Sequence, residues 1–107
     1  MFATIRRYRL NSGSMDDLLH EVDVDFAETI QATDGFIAYE CVDSGDGMLT
    51  TISTFTDQRA AEASTEAAAT WIRDNLASHY DIERLDVTTG EIAVNRAREE
   101  MLVPAHH

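Results

Sequence analysis

Residues 35–57 read GFIAYECVDSGDGMLTTISTFTD, and this stretch decides the fold. From Gly35 to Asp43, Phe36, Ala38 and Val42 alternate with Ile37, Tyr39 and Cys41, which is the two-residue period of a strand. Ser44-Gly45-Asp46-Gly47 then supplies residues that tolerate the left-handed backbone of a hairpin. Met48 to Thr56, rich in threonine and isoleucine, reads as the returning strand. Asp57 closes the stretch as a helix cap, because its carboxylate can accept the free N–H groups of a first turn.

Outward from this hairpin, each flank repeats a helix and a strand. On the N-terminal side, Phe2 to Leu10 is predicted as a strand with Ala3 and Ile5 on one face and Phe2, Thr4, Arg6, Tyr8 and Leu10 on the other. Asn11-Ser12-Gly13-Ser14 breaks it, and Ser14 with Asp17 forms a near capping box that opens a helix. Met15, Leu18, Leu19, Val22, Phe26 and Ile30 make its apolar stripe, and the helix is expected to stop near Thr33-Asp34-Gly35. On the C-terminal side, Ala60, Ser64, Ala67, Ala68, Trp71, Ile72 and Leu76 form a stripe of mostly small residues that lets a second helix lie close to a sheet. Ile82 to Arg96 is predicted as the last strand, with a bulge at Gly90 where the apolar phase flips. The pattern ends there, so residues 1–97 are expected as one domain and 98–107 as a poorly ordered tail ending in Pro104-Ala105-His106-His107.

The order β-α-β-β-α-β predicts an α+β, ferredoxin-like domain with a four-stranded antiparallel sheet and both helices on one face. Apolar residues also occur at neighbouring positions of every strand (Phe2/Ala3, Phe36/Ile37, Met48/Leu49 and Ile92/Val94), so neither face of the sheet is cleanly polar. A second copy packed sheet against sheet would keep that surface from water, and a homodimer is expected.

At 107 residues the chain is the size of one small domain. Its formal net charge is −12, from 20 acidic and 8 basic residues, and every basic residue is arginine. That charge repels nucleic-acid phosphates and anionic membranes, and it matches a halophilic or GC-rich source. One cysteine, Cys41, allows neither an internal disulfide nor a cysteine-based metal site. With no signal-like or membrane-length apolar run, a cytoplasmic location is expected.

The chain resembles the antibiotic-biosynthesis-monooxygenase type of dimeric α/β-barrel proteins over residues 1–96. The resemblance is carried by Met1-Phe2-Ala3-Thr4-Ile5-Arg6-Arg7-Tyr8, Gly35-Phe36-Ile37-Ala38-Tyr39-Glu40, Phe55-Thr56-Asp57, Ala68-Ala69-Thr70-Trp71 and Gly90-Glu91-Ile92. It implies two subunits whose sheets close into a dimeric α/β barrel, with a pocket between sheet and helices in each. It also implies several functions: oxygenases that act on aromatic substrates without metal or flavin, haem-degrading enzymes and quinol oxygenases, beside many members of unassigned role. The fold alone does not choose among them.

Each candidate residue has a plain structural role beside the functional one. Trp71 is a core anchor or, as the resemblance implies, a pocket wall that stacks on substrate. His79 is a surface residue ending the second helix, or a proton shuttle or haem ligand. The haem-degrading relatives combine Trp and His on this helix with an asparagine on the first strand; here that strand offers Thr4, Arg6 and Tyr8, and Asn11 comes too late. Tyr8 and Tyr39 are sheet-packing residues or phenols facing a substrate, and Phe36 is an apolar wall. Arg6 and Arg7 face opposite sides; one is expected inside, holding an anionic substrate oxygen, unless it pairs with one of the many carboxylates.

The sequence therefore predicts a cofactor-independent monooxygenase acting on a small aromatic or quinol substrate, with His79, Tyr39 and Arg6 as catalytic groups and Trp71, Tyr8 and Phe36 binding substrate. The alternatives are a non-enzymatic dimer that binds a small hydrophobic metabolite and, third, haem binding or breakdown. No cofactor or metal is called for: zinc, nucleotide and serine-hydrolase motifs are absent from the sequence.

Overall fold

Two side chains start the helices, as the residue pattern predicts. The Ser14 hydroxyl accepts from Asp17 N (3.2 Å) and the Asp57 carboxylate accepts from Ala60 N (2.8 Å). The computed structural model describes residues 1–97; the expected tail at 98–107 lies outside the described residues. In chain order the elements are β1 (Phe2–Ser12), α1 (Met15–Glu21), a π-helical turn (Val22–Phe26), α2 (Ala27–Gln31), β2 (Phe36–Gly45), β3 (Met48–Phe55), α3 (Gln58–Asn75) and β4 (Asp81–Glu91). The sheet runs β2-β3-β1-β4 with every neighbouring pair antiparallel, which is the ferredoxin-like arrangement.

The first helical arm differs from a plain helix in its middle. Leu18, Val22, Phe26 and Ile30 are all buried, and they are spaced by four residues throughout. On an ideal helix such a row drifts about 40° per step. The π-helical turn, closed by Ala27 N–H to the Val22 carbonyl, takes up the drift and keeps the row against the sheet.

The second helix buries Ala61, Ser64, Ala68 and Trp71, a run of steps of three and four. Ala67, expected on that stripe, is exposed, because it falls off this series toward solvent. With α1, the π turn and α2, these residues pack on Tyr8, Leu49 and Phe55 to make one core.

The last strand corrects two expectations. It ends at Glu91 instead of Arg96, and Val94 is 80% exposed. Gly90 pairs regularly with Ala3, whereas the register slips between Arg7 and Tyr8, opposite Asp86 and Arg84, so the bulge is at Leu85. The phase flip in the sequence marks where the strand stops; Ile92 N–H makes a last bond to the Met1 carbonyl (2.9 Å).

The other sheet face carries Ile5, Ile52 and Val42, with Arg7 crossing to Asp86 (Nε to Oδ2, 2.9 Å). Ile5 and Val42 are exposed on it. No helix among the described residues is long and apolar enough to cross a membrane.

The β2–β3 turn is tight against β1 at Gly47 and open at Gly45. Asp46 and Gly47 have φ of 55° and 77°, a pair of left-handed residues suited to a two-residue hairpin. A Cβ on Gly47 would lie 2.7 Å from the Leu10 carbonyl oxygen, whereas one on Gly45 (φ 88°) would meet nothing. Gly45→Ala should therefore cost about 1–3 kcal/mol of stability from backbone strain alone, and Gly47→Ala distinctly more. Urea unfolding midpoints of the two variants check this; equal midpoints would mean the hairpin tip moves freely off β1.

Candidate active site

β1 is a central strand, and its inner row reads Thr4, Arg6, Tyr8, all buried. Arg6 has 0% exposure. Its Nη1 donates to Ser64 Oγ (3.1 Å) and Thr65 Oγ1 (3.5 Å), and its Nη2 to Ser53 Oγ (2.9 Å). All three acceptors are neutral hydroxyls. Among the described residues no carboxylate forms an ion pair with Arg6, and the ion pair with Asp86 is made by Arg7 on the opposite face. The third donor, Arg6 Nε, is buried without a partner, as is Thr51 Oγ1. Thr51 stands directly across the β1–β3 ladder from Arg6.

Arg6 and Thr51 border a cavity of about 30 Å³ whose other walls are apolar or aromatic, among them Tyr8, Val22, Phe26, Tyr39 and Trp71. The π-helical turn builds one side of it. Phe26 lies 5.3 Å from Trp71 and 5.5 Å, edge to face, from Tyr39. Trp71 is 9% exposed, and its indole N–H donates to Asp25 Oδ2 (3.0 Å), also on the π turn. That N–H is thus committed to Asp25, and the residue lines the cavity.

A cavity of this size has room for about one water, whereas a benzene ring needs on the order of 150 Å³. A second, open groove of about 370 Å³ lies between α3 and β4, lined by Tyr8, Ala69, Ile72, Arg73, Ala77, Ile82 and Arg84. Tyr8, Ile72 and Ile82 are common to groove and cavity, and so form the partition between them.

Burial keeps the phenols of this site protonated. It pushes the Tyr8 phenol up, against the pull of the Arg6 and Arg84 charges. Tyr39 is raised much further, by burial first and by the neighbouring Cys41, with Arg6 again opposing. Cys41 itself is pushed up to about 11, chiefly by burial. At neutral pH these groups are hydrogen-bond donors and not anions.

The structure thus brings four of the six candidate residues, Arg6, Tyr8, Tyr39 and Trp71, to one cavity. Phe36 packs edge to face on Phe55 (6.1 Å) and is not in the cavity wall. His79 is exposed in the turn after α3, its N–H bonded to the Leu76 carbonyl, and no histidine lines the cavity. Among the described residues no three His, Cys, Asp or Glu side chains gather to hold a metal ion. Thr51, Asp25, Phe26, Ser53 and Ser64 also stand at the site, without being marked as site residues by the sequence. Of these only Phe26 and Ser64 carried a signal, as members of buried stripes.

No protein-family model matches the sequence, and no curated protein does. Solved structures match over nearly the whole chain. HapK from Hahella chejuensis is 16% identical with a TM-score of 0.67, covering 92% of this chain and 99% of its own. A dimeric ferredoxin-like protein from an uncultured marine organism is 10% identical with a TM-score of 0.69, covering 91% and 98%. A monooxygenase from the gene ActVA-Orf6 of Streptomyces coelicolor, in complex with nanaomycin D, is 15% identical with a TM-score of 0.58, covering 90% and 92%. At these identities the likeness fixes the fold: the chain is a ferredoxin-like α+β domain whose structural neighbours include monooxygenases of the antibiotic-biosynthesis type.

Proposed function

We propose that the protein is a homodimeric, cofactor-independent monooxygenase whose small phenolic or quinol substrate binds as an anion at Arg6. One observation carries this reading: a guanidinium with no exposure, bonded only to neutral hydroxyls, borders an apolar and aromatic cavity. A buried cation without a counter-charge is costly, and a phenolate oxygen supplies that charge. The same attraction favours the ionised substrate, so the proton leaves to water as the substrate binds and no buried base is required. Tyr8 and Tyr39, held protonated, donate to the substrate's oxygens, and Trp71 and Phe26 flank its ring. His79, exposed outside the cavity, has no part in this mechanism.

The substrate provides the electrons. O₂ adds to the activated, hydrogen-bearing ring carbon of the anion to give a peroxide anion, which takes up one proton to become the hydroperoxide. Loss of water then leaves a carbonyl at that carbon: one oxygen atom stays in the quinone product and the other leaves as water. Arg6 stabilises the anion from which electron density moves to O₂. The ring enters from the groove between α3 and β4, displacing the partition of Tyr8, Ile72 and Ile82.

The exposed apolar positions Ile5 and Val42 on the far sheet face, with Ile52 beside Ile5, suit a second copy packed sheet to sheet, and the dimeric ferredoxin-like neighbour supports that assembly. A second reading has its own support. The cavity is small and holds no histidine, which favours a non-enzymatic dimer that binds an anionic aromatic metabolite without turnover.

Purified protein given anthrone or 1,4-naphthohydroquinone should consume O₂ above the rate of a heat-denatured control. Arg6→Met should lower that excess rate at least about 100-fold, while its melting temperature stays level or rises, because apolar replacement of an unpaired buried charge is often stabilising. Tight binding of the phenol with no excess O₂ uptake would select the binding reading; a large fall in melting temperature would make Arg6 a structural residue. For the assembly, light scattering should give twice the mass of the chain, and Ile52→Asp should give the monomer. A monomeric parent would rule out the dimer.

A further inference from the structure

The groove between α3 and β4 is open where the cavity is closed. Its volume of about 370 Å³ is that of an ordinary small-molecule site. Across the β1–β4 ladder Arg84 stands beside Tyr8 and Ile82 beside Leu10, so the groove is on the helix side of the sheet. A second copy packed on the far face leaves it free. Its floor is hydrocarbon, with Ile72 from the helix and Ile82 from the strand, both half-buried.

The rim is different. Arg73 and Arg84 both line the groove and both are exposed, so their guanidinium groups are open to a ligand. No aspartate or glutamate lines it, in a chain where acids outnumber basic residues 20 to 8. Arg84 makes no ion pair among the described residues. Arg73 bonds only Asp74, through side chains 73% and 58% exposed, a pairing that water weakens and a ligand displaces at little cost.

The groove also has a direction. Residues 76–80 join α3 to β4, so Ala77 and Ile82 stand at its turn end and Ala69 and Arg84 further along. From Ala77 back to Ala69 is about 12 Å of helix, the length of about nine extended methylene groups. We infer that this groove binds a medium-chain aliphatic carboxylate, its tail against Ile72, Ala77 and Ile82 and its head between Arg73 and Arg84. A planar guanidinium suits that head, because it can donate two parallel hydrogen bonds to one carboxylate. The site goes beyond the oxygenase reading and does not rest on it: it needs no opening of the cavity and no chemistry at Arg6.

Titration calorimetry with sodium hexanoate, octanoate and decanoate, at neutral pH and constant ionic strength, tests the site on the intact chain. Full burial of a methylene tightens binding about fourfold, so in a half-open groove each added one should do so about twofold. The neutral n-octanol should bind at least about tenfold more weakly than octanoate, and Arg84→Gln should cost octanoate about tenfold while leaving n-octanol unchanged. Arg84→Lys, which keeps the charge, should recover part of that loss. Ala69→Glu puts an acid at the head end on an exposed helix position; it should abolish binding and leave the melting temperature of the free protein unchanged. Amide signals of residues 69–77 and 82–84 should shift on saturation. Affinity that does not grow with chain length would reduce the arginines to counter-ion binding and overturn the site. Equal affinity for n-octanol and octanoate, or shifts confined to other residues, would overturn it too. Octanoate binding without O₂ uptake from anthrone would leave the site standing and the oxygenase fallen; O₂ uptake without octanoate binding would do the reverse.

Discussion

The cost of sealing the Arg6 guanidinium under α3 with hydroxyls alone is the constraint that the helix–sheet interface has to meet. Near the N-terminal half of α3 that interface is a layer of small polar groups. Thr4 Oγ1 and Ser64 Oγ both donate to the Ala61 carbonyl (2.7 and 2.6 Å), and Thr4 also meets Thr89 (3.1 Å). The C-terminal half is the opposite: Ala68, Trp71 and Leu76 pack on Tyr8, Leu49 and the first helical arm. Arg6 joins the two layers, with its terminal nitrogens bonded in the hydroxyl layer and its residue also in the lining of the apolar cavity. Small residues at 61, 64 and 68 let the helix come close enough for hydroxyls to reach the strand. A larger side chain at any of them would separate the guanidinium from its acceptors.

The first helical arm is fitted to the same cavity. A regular helix through residues 15–31 would rotate Phe26 and Ile30 away from the row begun by Leu18 and Val22. The π turn holds them in line, and the same turn sets Asp25 where Trp71 N–H can reach it. This bond does two things. It satisfies the indole N–H of a residue that is almost fully buried, and it ties the two helical arms together over the cavity. The arrangement explains why the cavity is small: Trp71 is held against Phe26, and Phe26 against Tyr39.

Most of the fold is legible in the residue pattern, because its carriers are local. Asp57, Ser14, the Asp46-Gly47 turn and the alternation through residues 36–42 each act on their own backbone neighbours. What the pattern misses is what depends on partners elsewhere in the chain. The bulge falls at Leu85 because β4 must follow β1, and a phase change in β4 alone cannot show that. The π turn is a nearer miss: an unbroken four-residue spacing is its signature, but over one or two turns it looks like an ordinary helix stripe. At the site, Arg6 and Arg7 are indistinguishable as residue types. Alternation puts them on opposite faces, and only the location of Asp86 and of the hydroxyls of Ser53 and Ser64 tells which is buried without an acid. His79 misleads for the converse reason. Imidazole is an informative residue type, but a place just past the helix end does not say whether the side chain turns to the cavity or to solvent.

Charge distribution bears on how an anion could reach Arg6 at all. The chain carries 20 acidic residues, so most of its surface repels an anionic ligand. The groove between α3 and β4 departs from this. Arg84 lines it and makes no ion pair among the described residues, and Arg73 lines it while bonding only its exposed neighbour Asp74 (3.2 Å). Both arginines thus line the groove that shares Tyr8, Ile72 and Ile82 with the cavity. The Arg84 charge already acts on the Tyr8 phenol, on the partition itself. An anion drawn to this groove meets a second cation behind Tyr8, and the acidic surface elsewhere directs it to that one approach.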